Sequence, residues 1–295
     1  MSHWKNYVQA ESVEQALSAL EQAPGPSRVI GGGTDLLLEM QQGSSPSVDT
    51  LVDVTGVEEM KEIRLDEEGI FIGAGVVHRR IIEHPELQKQ AQCLTEACGL
   101  IGGPQVRNVA TIGGNVAHAL PAGDGTIALV TMDARALLAH GSERSWVPIR
   151  ELFSGPGKPS FNPGNTVVVG FRMAKGQPGE GSAFKRIMRP QGVAIAILNM
   201  GVWVRIDKND VIEAARIGMG PGGPTPLRAE KTEAVLTGRK WGEKAIEDAR
   251  SSLLEEASLR TSRHRATKEY RQHLVGVLLK RTMAEAIKRA KASAA

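Results

Sequence analysis

Arg28-Val-Ile-Gly-Gly-Gly-Thr-Asp35 opens with strand-like residues, passes through three glycines and enters a helical pattern at about Leu36. A strand that turns on glycine into a helix is the elementary unit of an α/β layer. The flanks agree. Ser12, with Gln15 three residues on, has the form of a capping box. Val13, Ala16, Leu17 and Leu20 then recur at helical spacing until Pro24-Gly-Pro26 stops the helix. Downstream, the second helix runs to about Gln42, and Thr50-Leu-Val-Asp-Val54 reads as the next strand. The glycines also carry chemistry. Without Cβ atoms their N–H groups can approach an anion closely, the helix N-terminus adds a favourable field, and Thr34 can donate a hydroxyl. The dinucleotide fingerprint G-x-G-x-x-G is not met, because Leu36 holds its last position. Gly73-Ala-Gly75 fails likewise with His78, and no Walker lysine is present. Taken alone, such a turn is as readily structural as ligand-binding.

A second glycine cluster changes that balance. Gly102-Gly-Pro-Gln-Val-Arg-Asn-Val-Ala-Thr-Ile-Gly-Gly-Asn115 lies in what reads as a long loop from Gly102 to Gly125. Thr111-Ile-Gly-Gly114 pairs a hydroxyl with exposed backbone donors, the local chemistry of an anion nest, and Asn115 adds a side-chain amide. Asp124 closes the loop, either accepting hydrogen bonds from sugar or ribityl hydroxyls or capping the following helix. Two such loops could clasp a diphosphate from both sides.

Around these segments the pattern gives a strand at Ile70-Phe-Ile72, helices over Arg79–His84, Leu87–Gly99 and Ile127–Met132, and strands over Arg135–Ala139 and Thr166–Met173. The polar Gly/Pro-rich stretch Ala174–Ser182 marks a domain boundary. Beyond it, Ala183–Ile187, Val193–Val204 and Val211–Ile217 form an antiparallel meander, Gly218–Pro226 a turn, and the remainder is helical. The last helix sets Val275, Leu279, Met283, Ala286 and Ala290 on one face.

Composition bounds the function classes. At 295 residues and 41% apolar, the chain holds two or three compact units with sizeable cores. Its longest apolar run, Val193–Val204, is interrupted by Asn199 and falls short of a membrane span. The opening Met-Ser-His-Trp-Lys-Asn has no export-type apolar segment. Cys93 and Cys98 are the only cysteines; they cannot hold a Cys₄ cluster and read as core residues. A cytoplasmic location follows as the expectation. From Arg228 onward sixteen Lys/Arg face nine Asp/Glu. With no aromatic interleaving in Arg260-Thr-Ser-Arg263-His-Arg265 before Tyr270, this suits a solvated helical surface or an acidic protein partner better than nucleic acid.

The motifs Gly31-Gly-Gly-Thr-Asp-Leu-Leu37, Gly103–Asn115, Pro121 with Asp124, Phe184-Lys-Arg186, Ala194, Ala215-Arg-Ile217, Pro224-Thr-Pro-Leu-Arg228 and Tyr270-Arg271 follow one another over nearly the whole chain. In this order they resemble the FAD-binding medium subunit of the molybdenum hydroxylases, the group of aerobic carbon monoxide dehydrogenase and xanthine dehydrogenase. The resemblance implies an α+β fold. Its FAD-binding domain, of the PCMH/VAO-like kind, would span 1–176 in two subdomains (about 1–55 and 56–176). A smaller C-terminal domain over 177–295 would carry a three-stranded antiparallel sheet and helices. Val29, Ile30, Gly31, Gly32, Gly33, Thr34 and Asp35, with Ala110, Thr111, Gly113, Gly114 and Asn115, would hold the pyrophosphate and ribityl chain. Ile101 and Val106 would lie near the flavin, with further cofactor contacts from Asp124, Val168 and Lys185. His118 stands at a position that can touch FAD, though it also reads as a surface-loop histidine. The chain departs from the family at Leu120, where many relatives have serine, and at Pro190-Gln191-Gly192, where an acid often follows the arginine; the latter bears on a nicotinamide site.

No residue pattern for metal binding or for side-chain acid–base or nucleophilic catalysis is evident, as suits a protein whose chemistry belongs to its cofactor. The expected role is electron transfer: from [2Fe–2S] clusters of a small subunit, reduced by a molybdenum-cofactor large subunit, through FAD to NAD, quinone or oxygen. The assembly would be a heterotrimer, doubled into a dimer of heterotrimers. The alternatives are a stand-alone FAD oxidoreductase with its own small-molecule substrate, and a nucleotide-binding regulatory module.

Overall fold

The computed structural model describes residues 3–44, 47–189 and 195–294. By backbone contacts the chain divides into two compact units. The first comprises Met1–Arg80, Gly103–Ala119 and Ala134–Ala174. The second comprises Ile81–Gly102, Leu120–Asp133 and Lys175–Ala295.

The first unit holds two main sheets. Strands β1 (Asn6–Gln9), β2 (Ser27–Ile30) and β3 (Thr50–Asp53) form a parallel sheet in the order β1-β3-β2. Helix α1 (Val13–Glu21) crosses from β1 to β2, and helix α2 (Leu36–Gln41) follows β2. Ser12 caps α1 by accepting from the Gln15 N–H at 3.1 Å; the Gln15 side chain reaches back to the Glu11 N–H at 2.8 Å, one residue earlier than a capping box requires. Ile30, Met40, Val48 and Leu51 close a small core here, with Trp4, Leu36 and Leu37 packed against it. The second sheet is antiparallel: β4 (Ile63–Asp66), β5 (Gly69–Gly73), β6 (Arg135–His140), β7 (Glu143–Pro148) and, after a short hairpin of β8 (Phe153–Gly155) and β9 (Lys158–Pro159), β10 (Thr166–Met173). Its order is β4-β5-β10-β6-β7.

The chain leaves the first unit within α3 (His78–Glu83). Helices α4 (Pro85–Gln90) and α5 (Gln92–Leu100) replace the single helix expected over Leu87–Gly99. The break falls at Ala91, whose side chain is fully buried, so packing overrides helix propensity. The expected long loop is likewise interrupted, by α6 (Pro104–Arg107) and α7 (Ile112–Ala117), and α8 (Asp124–Thr131) begins at its end. Helices of four to eight residues are too short to show a periodic stripe.

In the second unit β11 (Glu180–Ile187), β12 (Leu198–Ile206) and β13 (Ile212–Gly220) form the expected meander. The sheet has four strands rather than three, because β14 (Leu227–Arg228) pairs with Gly218 and Met219. Two residues cannot display the alternation by which a strand is read. The apolar run expected to start at Val193 becomes strand only at Leu198; Val193, Ala194 and Pro190-Gln191-Gly192 lie outside the described residues. Helices α9 (Glu230–Leu236), α10 (Glu243–Glu256) and α11 (Lys268–Ala294) follow. Val275, Leu279, Met283, Ala286 and Ala290 are all fully buried, against a core that includes Val202, Ile217 and Leu253. Cys93 and Cys98 are fully buried, and burial pushes both thiols up. Among the described residues no helix is long and apolar enough to cross a membrane.

Candidate cofactor site

The first glycine loop is a row of open donors. Among the described residues, the N–H groups of Gly31, Gly32, Gly33, Thr34 and Asp35 donate to no protein acceptor. Gly31 to Thr34 are half-buried and Asp35 is exposed. Gly33 takes a left-handed φ of 66°, and its carbonyl accepts from the Leu37 N–H at 3.0 Å, which starts α2. Half-buried backbone donors are ordinarily paired, so four in succession, followed by the exposed one of Asp35, form a donor row suited to an anion. Val29, half-buried, and Ile30, in the core, are the strand residues from which the loop springs.

The second loop is built differently from the expectation. The N–H groups from Ile112 to Asn115 are spent inside the protein. Ile112 donates to the Val76 carbonyl at 3.0 Å and Gly113 to the Ala74 carbonyl at 2.8 Å. Gly114 donates to Thr111 Oγ1 at 3.0 Å and Asn115 to the Thr111 carbonyl at 3.0 Å. The expected exposed donors of Ile112, Gly113 and Gly114 are therefore absent: Thr111 is the N-cap of α7, and Gly113 lies against Ala74. What this loop still presents is the exposed Gly114, half-buried Asn115 and the proton of the Thr111 hydroxyl.

The two loops meet backbone to backbone. A Cβ on Gly32 would stand 2.2 Å from the Val109 carbonyl oxygen and 2.9 Å from Ala110 Cα. One on Gly31 would lie 3.3 Å from Thr111 Oγ1. His118, at the end of α7, places Nε2 2.8 Å from Glu39 Oε1 on α2 and Nδ1 3.5 Å from Asp35 Oδ2. It is thus a tie between the loops, not a free surface histidine. Val106 is half-buried on α6, where its carbonyl accepts from the Ala110 N–H at 2.7 Å. Val168 is buried on β10 beside the bulge that interrupts its pairing with β6. The second motif is the platform on which the donor loop rests.

His78 anchors that platform. Its N–H donates to the Ala110 carbonyl at 3.1 Å, while its ring is 1% exposed and Nδ1 lacks a partner. Burial first, and the charge of Arg107 second, lower its pKa to about 4. The folded protein therefore binds fewer protons than the unfolded chain between pH 6.5 and about 4, and stability falls as pH drops through that window. The full loss is about 3 kcal/mol. Urea unfolding of wild type and His78→Gln should show a markedly flatter acid limb in the variant; parallel limbs would refute the assignment.

Ile101, Asp124 and Lys185 belong to the second unit. Ile101 is the half-buried C-cap of α5, and Lys185 is half-buried on β11 opposite Met200. Asp124 does not cap its helix; Gly123 holds that position. Its buried carboxylate takes a close ion pair from Arg186, and Oδ1 accepts from Asn199 Nδ2 at 2.7 Å. Burial pushes the carboxyl up, against the opposing pull of Arg186 and Asn199. Arg186 and Asn199 were not among the expected site residues. The signal for Asn199 was visible, since a polar residue inside an apolar run requires a buried partner.

Residues 2–173 match the family described as the FAD binding domain in molybdopterin dehydrogenase, and residues 182–286 the CO dehydrogenase flavoprotein C-terminal domain. The chain is 30% identical over 291 residues to the putative xanthine dehydrogenase FAD-binding subunit of Escherichia coli (strain K12), covering 97% of each. It is 29% identical over 280 residues to the carbon monoxide dehydrogenase medium chain of Hydrogenophaga pseudoflava, covering 94% of this chain and 95% of the other. The solved carbon monoxide dehydrogenase from Hydrogenophaga pseudoflava that lacks the Mo-pyranopterin moiety superposes with a TM-score of 0.91 at 28% identity, covering 97% of this chain and 98% of that one. With both domain families matched in order and relatives of this kind matched over nearly the whole chain, the chain belongs to the FAD-binding subunits of the molybdenum hydroxylases, the flavoprotein part of an oxidoreductase.

Proposed function

We propose that this chain carries electrons from [2Fe–2S] clusters of a small partner subunit, themselves reduced by a molybdenum-cofactor large subunit, to NAD, quinone or oxygen in the cytoplasm. The observation that carries the reading is the row of five unpaired N–H groups from Gly31 to Asp35, seated against Val109 and Ala110 of the second motif. These groups fit the pyrophosphate of FAD, whose negative oxygens need several short donors at once. Gly114, with the hydroxyl proton of Thr111, borders the same nest, and Asn115 follows on α7. His118 keeps α2 and α7 in register through Glu39 and Asp35. Ile101, Val106, Asp124, Val168 and Lys185 are proposed as further FAD contacts. Bound FAD supplies the redox chemistry, accepting electrons singly and releasing them in pairs. The polypeptide binds, orients and shields it. The relatives named as an FAD-binding subunit and as a medium chain favour work within an assembly over independent turnover.

Gly114→Val tests the site. A Cβ there meets one side-chain atom, Thr111 Oγ1 at 3.2 Å, and no main-chain atom, so the hydroxyl must give slightly and the protein should fold with a modestly lowered unfolding midpoint. Flavin absorbance per chain should fall at least about tenfold, because the branched side chain occupies space next to the donor loop. Stoichiometric FAD in a folded Gly114→Val protein would remove the site. The electron-transfer role is tested separately. Chains bearing [2Fe–2S] clusters and a molybdenum cofactor should co-purify, and the flavin should be reduced by the complex's substrate only when they are present.

A further inference from the structure

Arg271 has a burial that its bonding does not explain. It stands in the first turn of α11, where its N–H donates to the Thr267 carbonyl at 3.2 Å. The residue is 2% exposed, the least exposed arginine among the described residues, and its Nε is closed off from solvent without a partner. Its guanidinium makes no ion pair or hydrogen bond among them. Of the unit's other sequestered arginines, Arg186 pairs with Asp124, Arg228 with Glu233 and Arg289 with Glu96, while Arg216 lies over the Trp203 ring and donates to the Met132 carbonyl.

Instead of an acid, the fold brings more cations. The Ser262 N–H donates to the Ala266 carbonyl at 2.9 Å and the Arg265 N–H to the Ser262 carbonyl at 3.2 Å, closing a turn just before α11. The Lys268 N–H donates to Thr261 Oγ1 at 3.1 Å, tying the start of that turn to the helix. Arg265 is half-buried and Arg260 exposed. Burial first, then the charges of Arg265 and Arg260, hold the Arg271 guanidinium below its ordinary value; burial and Arg260 do the same to Arg265. No carboxylate offsets either. Glu256, the nearest acid before the turn, spends its carboxylate on the Lys231 and Thr232 N–H groups and the Thr232 hydroxyl. Glu269 is exposed and held down by its own N–H, Thr267 and Lys268.

A buried guanidinium is normally paired, and three that repel one another lack a shared counterion. We propose that Arg271, with Arg265 and Arg260 toward the rim, forms a binding site in the C-terminal domain for a phosphoryl dianion. A compact oxyanion with several oxygens can offer an edge to each planar fork and carry more than one negative charge; a single carboxylate can satisfy one. A flat acidic protein face cannot reach a residue as recessed as Arg271.

The test uses the full FAD-loaded chain and its unfolding midpoint in phosphate against chloride at equal ionic strength, with AMP as a second probe. Inorganic phosphate at about one hundred times its Kd should raise Tm by roughly 5 °C. Tighter binding of AMP than of phosphate would assign the phosphoryl group to a nucleotide, and equal binding to the free ion; both support the site. Arg271→Met should raise Tm in chloride, by removing the unpaired charge, and abolish the phosphate response. Arg265→Gln, at a half-buried side chain without an ion-pair partner, should raise the chloride Tm less than Arg271→Met does and weaken binding about tenfold. Absence of stabilisation by either probe, or a response unchanged in both variants, would overturn the proposal. Stabilisation by a glutamate-rich peptide in place of phosphate would overturn it as well.

Discussion

Gly32→Ala should cost about 3 kcal/mol of stability and strip the protein of FAD in the same step. The added methyl has nowhere to go. Its carbon would sit 2.2 Å from the Val109 carbonyl oxygen, 2.7 Å from the Val109 carbonyl carbon and 2.9 Å from Ala110 Cα. All three are main-chain atoms, so no rotamer change relieves the contact. Relief requires the loops to part. Parting them would pull Ala110 from the His78 N–H and strain the His118 contacts to Glu39 and Asp35. The donor row of Gly31–Asp35 then loses its platform, although no donor has been removed. Chemical denaturation and flavin content of Gly32→Ala, beside Gly114→Val, separate the two effects. The first variant should lose much fold stability along with its cofactor, the second its cofactor at a far smaller cost in stability. A Gly32→Ala protein with wild-type stability and bound FAD would show that the loops do not touch as described.

Local signals and long-range ones were unequally legible in the sequence. Ser12, Pro24-Gly-Pro26 and the stripe from Val275 to Ala290 act over a turn or two of chain, and the elements they predict are present. Strand β1 was not visible, because all four of its residues are exposed and its pairing depends wholly on β3, more than forty residues away. The glycine loops show the same divide in chemistry. Both read as donor nests, yet only the first leaves its donors open. Whether an N–H is free depends on where Ala74 and Val76 carry their carbonyls, and those residues lie nearly forty positions upstream of the second loop. Glycine there reports close packing as much as ligand contact. His118 was ambiguous for the same reason: its partners Asp35 and Glu39 come from the other loop and its helix.

Asp124→Ala should be the most damaging single side-chain deletion in the second unit, costing roughly 3–5 kcal/mol. The truncation leaves Arg186, 7% exposed in its side chain, without its counter-charge, and Asn199, wholly buried, without one of its two acceptors. The cost comes from those stranded groups more than from the worth of the pair, for burial already pushes the Asp124 carboxyl up despite Arg186 beside it. A pair held at such expense contributes little net stability while both members are present. The double variant Asp124→Leu/Arg186→Met should therefore recover most of the loss, to within about 1 kcal/mol of wild type. Denaturant unfolding of the two single variants and the double variant measures this directly. Additive losses would mean that Asp124 and Arg186 act independently. Recovery of stability without recovery of FAD would instead assign the pair to the cofactor, since apolar replacements restore packing but supply no charge or hydrogen bond to a ligand.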